Sequence, residues 1–189
     1  MEATLKKVRT VNGVNVKRLY DTIQAVKANP SLKDFRFRAV NEWIDCGHNR
    51  STIKDFYGAG QEDTTRDKPF VLDNDEPDVL LGANNGANPV EYVLHALAGC
   101  ITTSLVYHAA ARGIHVESIT STYEGYIDLR GFLGIDPDVP RGYQNIQVTF
   151  DIKGDLTQEQ KQQLIELGQN YSPVFGTNTN PVKVDVKLA

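Results

Sequence analysis

Residues 88–113 constrain the fold of this chain more than any other stretch, because a long apolar run there carries its own helix start and stop. Asn88 suits an N-cap, Pro89 the first helical position, Glu91 completes a capping box, and Gly113 accepts the left-handed turn that closes a helix. The pattern predicts a helix over 89–112. His95, Thr102, Thr103, Ser104 and His108 interrupt its apolar residues, which argues against a membrane span and for a helix buried in protein. Cys100 lies near the middle, among Ala96, Ala98 and Gly99. A thiol so placed is either an inert packing group or a sheltered nucleophile.

The rest of the chain is ordinary in composition. Its 189 residues, 40% hydrophobic and 23% charged with a net charge of -4, are long enough for one sizeable core. A pI near 5.6 without a basic cluster gives no footprint for nucleic acid, and no Lys/Arg-rich amphipathic helix points to a membrane surface. Cys46 and Cys100 do not make a disulfide framework, and residues 1–7 lack the apolar run of a signal peptide, so a cytoplasmic location is expected.

Periodicity gives an α+β order of elements. Val16, Leu19, Tyr20, Ile23 and Val26 recur at helical spacing, so 14–28 reads as an amphipathic helix closed by Asn29-Pro30, within an N-terminal extension of residues 1–32. Residues 35–40 and 51–57 read as the strands of a hairpin turning at 45–49. Residues 58–88, rich in Gly, Asp, Asn and Pro, read as a long irregular loop. Residues 115–129 and 145–153 alternate as two strands of one sheet, joined by an irregular connection over 131–140. Thr157 opens a helix to about Asn170, and Val182, Val184, Val186 and Leu188 alternate as a last strand.

Several ordered motifs carry a resemblance. Asn88-Pro89-Val90-Glu91 is followed by Ala96-Leu97-Ala98-Gly99-Cys100, then by Asp128-Leu129-Arg130-Gly131-Phe132-Leu133-Gly134, then by Tyr171-Ser172-Pro173-Val174-Phe175 and Thr179-Asn180-Pro181-Val182. Over residues 33–189 the chain resembles the OsmC/Ohr superfamily, in its OsmC-like branches of predicted redox proteins. That resemblance implies an intertwined homodimer with antiparallel sheets around long central helices. It also implies reduction of organic hydroperoxides in oxidative-stress defence by a peroxidatic cysteine on the central helix, which falls on Cys100.

Such chemistry needs a thiolate, and a thiol among apolar groups needs a nearby cation to favour it. Cys100 lies roughly 16 Å along the axis from Pro89, beyond the reach of the helix dipole. An arginine must come from elsewhere, with a glutamate to orient it. In the active branches, the resemblance implies, that glutamate directly follows the proline; here Val90 stands there and Glu91 comes one later. Glu91 is therefore either that carboxylate or a capping residue only. Arg66 in the preceding loop is the candidate guanidinium, or a solvated surface charge. The two-cysteine members place a resolving cysteine where this chain has Ser172, so Cys46 or an external thiol or dithiol would have to resolve an oxidised Cys100.

His95 and His108 are poorly spaced to activate Cys100 within one helix, and four scattered histidines suggest no metal site. No phosphate-binding or dinucleotide motif is present and no cofactor is implied. Three functions are expected in order: a thiol peroxidase acting on a small organic hydroperoxide, a silent dimer binding a small apolar ligand, and a structural or regulatory dimer.

Overall fold

The computed structural model describes residues 9–188. Along the chain run β1 (Thr10–Val11), β2 (Val14–Asn15), α1 (Val16–Ala28), β3 (Val40–Asp45), β4 (His48–Ile53), β5 (Phe56–Gly58), β6 (Gln61–Asp63) and β7 (Phe70–Asn74). After them come α2 (Pro89–Ala111), β8 (Ser118–Tyr126), α3 (Leu129–Phe132), β9 (Asn145–Lys153), α4 (Gln158–Asn170) and α5 (Pro173–Thr179). Helices and antiparallel sheets mix as the sequence implies. The described chain forms two compact units, residues 17–93 and residues 9–16 with 94–188.

In the first unit an antiparallel sheet of order β3-β4-β7 is built on a hairpin. The hairpin turns within the expected 45–49, with Asp45 opposite His48 across Cys46-Gly47, but its first strand runs over Val40–Asp45 and not over 35–40. Every residue of Val40–Asp45 is exposed, so the strand has no buried face to impose the alternation by which a sequence reveals a strand. Phe56–Gly58 leaves the expected second strand and forms its own hairpin with β6. The rings of Phe35, Phe37 and Phe56 gather beside it, with centroids 5.4 to 6.5 Å apart. The irregular loop expected over 58–88 also contains β7, which completes the sheet against β4 from Ile53↔Phe70 to Asn49↔Asn74. A five-residue strand is too short for periodicity to reveal.

The second unit is organised around α2. Leu97, Ile101, Leu105 and Ala109 recur every fourth residue and are buried, whereas Val93 and Tyr107 are exposed. By length and composition the helix is apolar enough to cross a membrane, and among the described residues one of its faces is covered. Leu105 and Ala109 pack with Val116, Ile152 and Leu164 into the core. Burying Leu105 or Leu164 is worth roughly 1.5–3 kcal/mol each. Nine residue pairs join β8 to β9, and Ile119, Tyr123, Val148, Phe150 and Ile152 occupy the more buried face.

Local caps set the helix ends. Thr157 and Gln160 form the capping box of α4. Gly113 takes φ +72, while its N–H and that of Ile114 return to Ala110 and Ala109, as a left-handed helix stop requires. α4 lies close to α2 because Gly168 has no side chain; a Cβ there would stand 3.0 Å from the Ile101 carbonyl.

Two further expectations are corrected. The connection after β8 holds a short helix, α3, capped by the Asp128 carboxylate on Arg130 N–H. Residues 182–188 form no strand among the described residues, and Val184, Val186 and Leu188 are exposed. Alternation supplies an apolar face, but a strand also needs a backbone partner.

Candidate functional site

The start of α2 is fixed by three carboxylates. Asn88 Oδ1 accepts from Val90 N–H at 3.0 Å, and Glu91 Oε2 accepts from Asn88 N–H at 2.8 Å, the reciprocal box read from the sequence. Glu76 Oε2 takes the side-chain amide of Asn88 at 2.5 Å. Behind it the buried Asp75 carboxylate receives four N–H donors: the backbone of Glu76, Ala83 and Asn85, and the Asn85 amide at 2.8 Å. Those donors, the Asn85 backbone foremost, hold its carboxyl below the usual carboxylate range against the opposing effect of burial.

The loop from 75 to 88 is packed tightly enough to exclude side chains at two glycines. A Cβ on Gly82 would strike the Glu76 carbonyl, and one on Gly86 the Asp73 carbonyl. Tyr92, in the first turn of α2, donates to the same Asp73 carbonyl at 2.8 Å. The Asp73 side chain is gripped by the Arg50 fork at 2.8 and 3.1 Å and by His48 at 3.0 Å. Arg50 first, then His48, lowers its carboxyl. Neither Asp73 nor Asp75 stood out in the sequence. The only signal was an acidic run, Asp73 to Asp78, ahead of an Asn/Gly-rich stretch, which points to a turn without naming its centre.

Cys100 is half-buried on α2, beside the covered face of Leu97 and Ile101 and next to exposed Ala96, Gly99 and Thr103. Its Sγ takes no hydrogen bond among the described residues. The Oγ of Ser104, one turn onward, donates to the Tyr171 carbonyl at 3.1 Å and not to the thiol. Tyr171 also stacks on His108, with centroids 4.1 Å apart, and Arg112 donates to the His108 carbonyl. Burial, then Arg112, keeps His108 below the usual imidazole range.

The other residues singled out from the sequence have local roles. Arg66 donates to the Lys54 carbonyl at 2.6 Å and lies 5.2 Å from the centres of the Phe56 and Phe70 rings. No ion pair joins it to Glu91. Ser172 is buried and caps α5, its Oγ accepting from Phe175 N–H at 3.1 Å. Cys46 is exposed at φ +47, and its Sγ donates to the Leu81 carbonyl at 3.1 Å. Among the described residues no group of three or more His, Cys, Asp or Glu side chains could hold a metal ion.

Residues 82–187 match the family described as OsmC-like protein. Among curated proteins none matches the chain by sequence. Three solved structures share its fold. An OsmC-like protein of Mycoplasma pneumoniae superposes with a TM-score of 0.57 at 15% identity, over 76% of this chain and 87% of that one. A putative osmotic stress induced and detoxification response protein of Psychrobacter arcticus gives 0.56 at 12% identity, over 74% and 85%. An organic hydroperoxide resistance protein OsmC of Legionella pneumophila gives 0.53 at 18% identity, over 74% and 86%.

Proposed function

Because this chain belongs to the OsmC-like protein family, we propose that it is a cytoplasmic, homodimeric thiol peroxidase that reduces organic hydroperoxides at Cys100. The observation that carries the reading is the position of Cys100. Its thiol lies within the matched region, on a central helix, at the border between a buried apolar face and small exposed residues. That border keeps a sulfur shielded yet reachable. One relative of the same fold is an organic hydroperoxide resistance protein.

The thiolate attacks one oxygen of the hydroperoxide, the O–O bond breaks, and the alkoxide takes a proton to leave as the alcohol. Cys100 is left as the sulfenic acid. An external thiol then displaces water to form a mixed disulfide, and a second thiol releases Cys100 and the oxidised reductant. Ser172 cannot serve as the resolving group, since a capping hydroxyl forms no disulfide. Cys46 is the alternative resolver within the chain. The sheltering groups assigned to this reaction are Arg66, which would leave the Lys54 carbonyl to stabilise the thiolate, and Glu91, which would orient it.

A second copy of the chain covers what one copy leaves exposed: the outer face of α2, and the alternating Val182–Leu188 segment that finds no partner strand here. A second reading, a silent dimer holding a small apolar ligand, is favoured by the existing engagements of Arg66 and Glu91 with other partners. Brief exposure to an alkyl hydroperoxide followed by sulfenic-acid trapping and mass spectrometry decides between them. The peroxidase labels at Cys100 and consumes peroxide with a dithiol, and Cys100→Ser abolishes both. An unlabelled Cys100 in folded protein sinks the reading.

A further inference from the structure

The charges of β9 run in an order that one other segment of the chain mirrors. On its exposed face Asp151 is followed by Lys153, with Asp155 just past the strand end, while Phe150 and Ile152 lie on its more buried face. In extended form, residues 182–188 set Lys183, Asp185 and Lys187 on one side and Val182, Val184, Val186 and Leu188 on the other. Laid beside β9 with Asp185 opposite Lys153, the segment brings its two lysines opposite Asp151 and Asp155 in either strand direction, because both charge patterns read the same both ways. An apolar side chain of the segment then falls opposite Ile152 and another opposite Phe150. Opposite charges directly across a strand pair stabilise it, and like charges oppose it.

Both halves of this match are unoccupied. Among the described residues β9 pairs with β8 alone, so the backbone groups along its other edge have no strand to bind. No ion pair there engages Asp151, Lys153 or Asp155, and Lys183 reaches only its own neighbour Asp185, at 3.1 Å and exposed. The other long edges fit less well. β8 offers Glu124 as its single charge, β3 sets Glu42 between Val40 and Ile44, and on β7 Asp73 is already held by Arg50 and His48. The chain's own segment does not pair with its own β9, although both belong to one compact unit.

We propose that Val182–Leu188 of one copy adds as a strand to the free edge of β9 in a second copy, with Asp185 opposite Lys153, and that the exchange is reciprocal, two segments closing on two edges. The inference rests on the homodimer of the preceding reading and not on its peroxide chemistry.

Disulfide trapping tests it, since residues directly opposite in a strand pair stand about 5 Å apart at Cα, within disulfide reach. In a chain carrying Cys46→Ser and Cys100→Ser, Lys153→Cys together with Asp185→Cys is expected to give, on mild oxidation, a covalent species of twice the chain mass on a non-reducing gel. Either new cysteine alone is expected to give none. A disulfide confined to one chain, or no disulfide, overturns the exchange. Light scattering before oxidation tells the two failures apart: a double-mass particle without the cross-link keeps the dimer and loses the exchange, and a single-mass particle loses both. Should that chain not fold, Lys183→Glu with Lys187→Glu carries the test. The pair should raise the dimer dissociation constant about tenfold, and adding Asp151→Lys with Asp155→Lys should bring it back to within about threefold. An unchanged constant, or a loss that the second pair leaves in place, overturns the exchange.

Discussion

Asn12 pairs with Val116 across 104 positions of sequence: its Oδ1 accepts the Val116 N–H at 3.0 Å, while its Nδ2 donates to the Ile114 carbonyl at 2.9 Å. One side-chain amide thus does for residues 114–116 what a neighbouring strand would do. It can reach because Asn12-Gly13 forms a tight turn with both φ values positive, +51 and +78. Asn12→Ala leaves the Val116 N–H and Ile114 carbonyl without that partner, and should lower the unfolding free energy by about 1–3 kcal/mol. Urea denaturation checks it; a midpoint equal to wild type would mean that water replaces the amide at no cost.

Leu164 is fully buried against Leu105 and Ala109 in the core. Leu164→Ala should cost about 2–5 kcal/mol, the transfer term plus the cavity left behind. Gly168→Ala tests the same contact from the other direction, since the new methyl meets the Ile101 carbonyl and the Ile101 side chain at 3.0 Å. Both variants should melt below wild type in a calorimetric scan.

Asp75 gives the acid limb of stability a specific source. Its carboxyl titrates below the usual range in the folded protein, so its contribution is present above the unfolded value and is lost as pH falls through the folded one. Stability should therefore drop on acidification below about pH 4, and Asp75→Asn should show a shallower drop from a lower starting point. Denaturation midpoints of the two proteins taken between neutral and acid pH decide this; parallel curves would assign the acid limb to Asp73 and the other low-titrating carboxylates.

The proposed dimer makes a mass prediction. Light scattering should give about twice the 21.0 kDa chain mass, and Val184→Lys with Val186→Lys, which charges the exposed segment, should shift the population toward one copy. A wild-type mass of a single chain would leave the apolar face of α2 with no second copy to cover it.

What the sequence determined by itself was whatever lies within a turn or two of its own signal. The Asn88 cap, the Glu91 box, the Thr157 box and the Gly113 stop join residues at most five apart, and α2 and α4 lie where these signals put them. The family, too, was legible, because its motifs are local strings. Tertiary structure decided the rest. β7 became a strand because β4 offered it a backbone, residues 182–188 form no strand among the described residues, and Ser104 turned to a carbonyl 67 residues away. The same holds for the helix start: a capping box is written in four consecutive residues, but the buried carboxylate that steadies it works through N–H groups brought back from eight and ten positions on. Hydrogen bonds of that reach are chosen by where the chain returns, and no periodicity or cap records the return.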